Sequence, residues 1–276
     1  MTKRKLLVVV AVVVVVAAAT VTTVVLTRSN STPSAKPCEI PKSVREKPVS
    51  AKTAPGGGGI RVVEQGFSQA SADLSMGAVL QNTSDRTAYR TKVAFRIFAS
   101  PDHEPSEPPE EVVMTTEIPV MMPGQQVGVG RGAGLGWGRV TSVATERKTT
   151  TWLPKGALGS QFVPTATTYK RMIPPYDVVR YTENSENCRA LTNRRTAVVF
   201  RDAGGKIVGG DLADPDGKGR PVSGQQPPSS PSCSPGERET WIVPPTGAPP
   251  NVDGKRTRLY SYCDLNAPPS DVNQTY

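Results

Sequence analysis

From residue 60 onward the chain alternates between apolar and polar positions with a period of two. Tyr89, Thr91, Val93, Phe95 and Ile97 interleave with Arg90, Lys92, Ala94 and Arg96, as in a strand with one buried and one solvated face. Five more runs read as strands, at residues 60–63, 74–80, 112–118, 126–129 and 139–144, several separated by Pro, Gly or Asn-Thr-Ser turns. No long 3.6-residue periodicity occurs after Leu26, so no helix is required beyond that point.

The N-terminal pattern is different. From Leu6 to Leu26 the chain is apolar and uncharged for 21 residues. As a helix this run spans roughly 31 Å, close to the ~30 Å hydrocarbon core of a bilayer. Lys3, Arg4 and Lys5 on one side, against Arg28 alone on the other, put the N-terminus in the cytoplasm. A cleaved signal peptide is the competing reading, with Ala17, Ala18 and Ala19 as small residues for a cleavage site. The run continues past Ala19 to Leu26, which favours an anchor. Either reading exports the rest of the chain. Residues 29–59 then form a stalk: Pro37, Pro41, Pro48 and Pro55 recur, and four glycines run from Gly56 to Gly59. Such a composition cannot bury enough apolar surface to offset its ordering entropy, so the stalk is expected to be flexible.

The second half repeats the order of the first. Asn82-Thr-Ser is followed 16 residues later by Phe98, and Asn184-Ser-Glu 16 residues later by Phe200. Pro123-Gly124 and Pro235-Gly236 come next, then Trp137 and Trp241. Repetition of this kind predicts two copies of one domain. The expected organisation is a cytoplasmic tip and anchor at 1–28, a stalk at 29–59, β-sandwiches at 60–148 and 149–265, and a tail at 266–276. Two polar loops interrupt the repeat at the same place. Residues 100–111 carry four prolines and five acidic residues, and residues 211–233 carry five prolines. Loops on a rigid scaffold are where binding often resides.

Charge and cysteine usage narrow the function. Of the formal net charge of +9, four positive charges belong to Lys3, Arg4, Lys5 and Arg28, so the exported part keeps +5. That balance favours anionic surfaces such as wall polymers. No basic helix with interleaved aromatics occurs, and no nucleic-acid partner is expected. The four cysteines, Cys38, Cys188, Cys233 and Cys263, all follow the apolar run. An even count in an exported chain reads as two disulfides, with three possible connectivities.

Catalytic chemistry finds little support. The single histidine, His103, lies between Asp102 and Glu104 in the Pro-rich loop and reads as a surface residue. No Gly-x-Ser-x-Gly elbow is present. Glycines at every second position from Gly128 to Gly138 lack dinucleotide-site spacing and read either as packing that excludes bulk or as a flexible loop. Asp214-Pro-Asp216-Gly217 lacks the distal glutamate of a calcium loop. Glu110 and Glu111 could serve glycoside chemistry, but neighbours on a strand face opposite ways. No catalytic residue, metal site or cofactor is assigned.

Several of these residues resemble the FxLYD family of small extracytoplasmic bacterial β-sandwich domains. The second half carries Asn184-Ser185, Ala197-Val-Val-Phe-Arg-Asp202, Gly204-Gly-Lys-Ile-Val-Gly209 and Pro235-Gly-Glu237. The first half carries Asn82-Thr-Ser84, Val93-Ala-Phe-Arg-Ile-Phe98 and Pro123-Gly124, with the acidic loop in place of the glycine hairpin. The resemblance implies Greek-key sandwiches outside the membrane and no particular activity. The expected fold is thus all-β: two immunoglobulin-like antiparallel sandwiches after one transmembrane helix. In that strand order Cys188, Cys233 and Cys263 converge at one pole, and the expected pairing is Cys188–Cys263 with Cys38–Cys233. The functional expectation is a non-enzymatic, membrane-anchored interaction module for an envelope protein or an anionic wall polymer. A structural spacer in a membrane complex and an envelope hydrolase are the alternatives.

Overall fold

A computed structural model describes residues 49–100, 110–134, 138–158, 162–173, 177–214 and 232–265. The apolar run from Leu6 to Leu26, Cys38, His103 and Trp137 lie outside these residues. Among the described residues the fold is all-β, every strand pairing is antiparallel, and no helix is long and apolar enough to cross a membrane.

The first half contributes β2 (Ile60–Ala70), β3 (Asp73–Asn82), β4 (Ala88–Ser100), β5 (Glu110–Met121), β6 (Gln126–Gly134) and β7 (Arg139–Arg147). Here β3 lies between β2 and β6, and β4 pairs with both β5 and β7. The second half contributes β9 (Ala166–Ile173), β10 (Val178–Ser185), β11 (Thr192–Arg201), β12 (Ile207–Ala213), β13 (Gly236–Ile242) and β14 (Arg258–Asp264). Here β10 lies between β9 and β13, and β11 between β12 and β14. Taken in order, the second six strands pair as the first six do.

Burial along β3 explains the layering. Leu74, Met76, Ala78 and Leu80 pack with Val93, Phe95 and Ile97 of β4, Ile118 of β5 and Val127 and Val129 of β6. Each of these buried side chains other than Ala78 contributes about 1.5–3 kcal/mol of hydrophobic stabilisation. The intervening residues turn to the other half: Ser75 Oγ donates to Gly210 O at 3.1 Å, and Val79 packs with Val199 and Ile207. A strand covered on both faces reads as the continuous run Leu-Ser-Met-Gly-Ala-Val-Leu rather than as an alternation. In the same way β11 sends Val198 and Phe200 into a core with Val179, Tyr181, Ile242 and Leu259, and Ala197 and Val199 towards the first half.

Where β6 and β3 meet β12, the contact is at backbone level. A β-carbon on Gly77 would overlap the Gly209 carbonyl, one on Gly130 the backbone of Asp211, and one on Gly128 the Tyr260 ring. Gly128 and Gly130 of β6 are therefore packing positions. Asp211 locks this junction from within. It is 2 % exposed; its Oδ1 accepts from Gly132 N and Leu212 N, and its Oδ2 from Thr246 N and Oγ1. Burial pushes this carboxyl above its ordinary pKa, while the hydrogen bonds pull it back.

Side chains close the remaining edge of the first half. Gln69 accepts from Val140 N and donates to Gly138 O, both at 2.8 Å, and Gln65 accepts from Thr145 N at 2.9 Å. These amides stand in for a ladder between β2 and β7. The end of the stretch read as stalk is held as well. β1 (Val49–Ser50) pairs with β8 (Thr151–Trp152), β8 also pairs with β4, Ala54 is buried, and Trp152 Nε1 donates to Ala51 O at 3.0 Å. Gly56, Gly57 and Gly58 turn the chain here at φ of 97°, 103° and 76°, values that glycine reaches without steric cost.

Candidate functional site

Two regions of the second half concentrate chemistry: a buried pole around a disulfide, and an open groove between two strand edges. At the pole, Cys233 and Cys263 are bonded, with Cα atoms 5.7 Å apart. This corrects the expected Cys188–Cys263 and Cys38–Cys233 pairing. β11 begins at Thr192 rather than at Cys188, and Leu191 N donates to Cys233 O at 3.0 Å. That bond holds the Cys233 turn against the start of β11, where Asn193 faces Cys263 of the neighbouring β14. The bond closes a separation of 30 residues, which in the chain-entropy model stabilises by roughly 3–4 kcal/mol. Cys188 is also disulfide-bonded, and no described cysteine is free. Non-reducing peptide mapping is expected to yield a Cys233–Cys263 fragment; a linked Cys188–Cys263 peptide would contradict the assignment.

The disulfide sits over a buried carboxylate. Glu183 of β10 has no exposed side-chain surface; it pairs with Arg238 Nε of β13 at 3.0 Å and accepts from Cys233 N at 2.9 Å. Glu183, Cys233 and Cys263 are the one group among the described residues with the closeness of metal ligands. With the two sulfurs joined to each other, neither is the thiolate that a metal needs. Beside them the buried Tyr181 hydroxyl bonds Thr196 Oγ1 at 3.1 Å. Burial, reinforced by the Glu183 charge, pushes that phenol well up.

A charged link ties this pole to the first half. Asp264, fully buried, accepts from Tyr89 Oη at 3.1 Å and pairs with Arg194 at 2.6 Å, and Arg194 reaches Glu117 at 3.7 Å. Arg90 of β4, at φ 50°, lies over the Tyr89 ring. Of the Glu110–Glu111 pair, Glu111 is engaged by Arg96 through two hydrogen bonds of 2.6 and 3.0 Å, which hold its carboxyl below the ordinary range. The Glu110 side chain, His103 and Asp216 lie outside the described residues.

The groove runs between β9 and β14. Each ends its sheet, and no ladder joins them. Contacts between them run from Thr165 with Cys263, through Thr167 Oγ1 donating to Leu259 O at 2.5 Å, to Tyr169 against Gly254. Beyond Thr167 the edges part around a space of about 410 Å³ lined by Thr168, Lys170, Lys255, Thr257 and Arg258. Lys170, Arg171, Lys255 and Arg258 are exposed, and among the described residues none is paired with a carboxylate. The acid at the rim, Asp253, is engaged with Lys255 N at 2.9 Å and Arg256 Nε at 3.5 Å. Sequence reasoning did not single out these cations. Their separation along the chain hides the cluster, and the one sequence signal was the positive balance of the chain beyond Arg28.

No family model matches the chain, and neither does any curated protein or solved structure.

Proposed function

We propose that this chain is a membrane-anchored, extracytoplasmic binding module without enzymatic activity. In this reading two immunoglobulin-like sandwiches of FxLYD type present a binding surface to an envelope protein or an anionic wall polymer. The observation that carries the proposal is the cysteine state. Cys233 and Cys263 are joined inside a core and Cys188 is bonded too, and such bonds persist in oxidising compartments. The apolar run from Leu6 to Leu26 supplies the tether, and the repeated strand pairing of the two halves supports a duplicated sandwich. A cluster of exposed, unpaired cations beside two strand edges supports binding rather than turnover as the activity.

The test is labelling of intact cells with a membrane-impermeant maleimide, with and without reduction. The full-length chain is expected in the membrane fraction, reacting only after reduction. Reaction without reduction, or only after lysis, would overturn both the compartment and the disulfide argument.

A further inference from the structure

We propose that the groove between β9 and β14 takes an extended acidic peptide, which adds to the free edge of β9 as a further strand. The inference rests on the binding reading above and names its partner class. Two independent features support it. The first is the backbone. β9 is hydrogen-bonded on one side only, to β10, so its other edge offers donors and acceptors that an extended chain satisfies. The neighbouring β14 forms no ladder with that edge; side chains alone reach across, Thr165 to Cys263, Thr167 to Leu259 O and Tyr169 to Gly254. The second is charge. Lys170, Lys255 and Arg258 line the opening, and Asp253 is already engaged.

Lysines on an edge strand commonly serve to repel another copy of the same edge. That repulsion depends on sign, and an acidic strand converts it to attraction. Phosphate-rich polymers share the charge preference but have no use for the β9 backbone. Sensitivity to the peptide's own amides therefore separates the two. Thr167 to Lys170 supply four groove positions, and at about 3.3 Å per residue they span roughly 13 Å of extended ligand. A decapeptide more than covers this length.

The experiment uses the full-length chain in non-ionic detergent and a fluorescent decapeptide of alternating glutamate and threonine, read by anisotropy. Saturable binding is expected, weakening with added salt. Affinity should fall at least ten-fold in the Lys170→Glu, Lys255→Glu double variant, and also for a peptide N-methylated at alternate amides. The milder Lys170→Gln, Lys255→Gln pair should give a smaller loss, with the disulfides intact by mass. Reversal at Lys92 and Lys148 changes net charge equally and should leave binding unchanged. No saturable binding, equal loss from the Lys92 and Lys148 reversal, or undiminished binding of the N-methylated peptide would overturn the proposal. Polyphosphate binding more tightly than the peptide would assign the cations to an anionic polymer instead. None of these outcomes alters the maleimide pattern, so failure of the groove and failure of the extracytoplasmic reading remain distinguishable.

Discussion

Replacing Gly130 by valine is expected to destabilise the fold by at least about 3 kcal/mol, the upper range for forcing bulk into a packed interior. The reason lies in what the glycine faces. A β-carbon at this position overlaps the backbone of Asp211, and backbone cannot rotate away as a side chain can. The sheet holding β6 and the sheet holding β12 must then separate. That movement also breaks the bond from Gly132 N to Asp211 Oδ1, 3.0 Å long, in a carboxylate that anchors Leu212 N and Thr246 N as well. The damage thus spreads from one side chain to a whole junction. Gly134→Ala is the control: its nearest neighbour would be Asp73 Oδ1 at 3.8 Å, ordinary van der Waals contact. Urea unfolding of both variants reads the result. A Gly130→Val midpoint within error of Gly134→Ala would show that the two halves do not depend on this contact.

The same junction shows how far the sequence could be read. Strand positions were legible, because a half-buried strand writes its alternation locally: the pattern from Tyr89 to Ile97 lies inside β4, and each of the other five runs falls within a strand. The repeated strand pairing has a local trace in Asn82, the last residue of β3, and Asn184, the last but one of β10. The run of apolar and small residues in β3 marked a strand, but its burial on both faces and its second partner emerged only from the fold. Gly77 and Gly130 meet Gly209 and Asp211 across a long loop of chain, and no local pattern records such a meeting. The alternating glycines therefore left packing and flexibility equally open until their partners were known. The cysteine pairing failed for a related reason. Strand order brought three cysteines to one pole, but the choice among them turned on the bond from Leu191 N to Cys233 O, a detail of one turn. The glycine run at 56–58 has the composition of a flexible linker, yet Ala54 beside it is buried; one apolar contact suffices where the chain returns to a sheet edge. The cation groove was the least legible, since Lys170 and Lys255 come together only through the folding of β9 against β14.

Breaking the Glu183–Arg238 pair from one side is expected to cost about 3–5 kcal/mol, because the surviving charge stays buried without its counter-ion. The Glu183 side chain is wholly covered and that of Arg238 is 6 % exposed, so water reaches neither readily. Arg238→Met should therefore be severe. Glu183→Gln should be severe as well, although glutamine keeps an acceptor for Cys233 N, because it strands the guanidinium. The double variant, Glu183→Gln with Arg238→Met, removes both charges and preserves that acceptor. Its cost should fall well short of the sum of the singles, with a coupling of about 2–3 kcal/mol in a double-mutant cycle. Urea unfolding under oxidising conditions supplies all four stabilities, with the disulfides checked by mass so that covalent loss does not enter the comparison. Strict additivity would mean that the carboxylate and guanidinium do not act as a pair in the folded protein. The position of the Cys233 turn would then rest on its disulfide and the bond from Leu191.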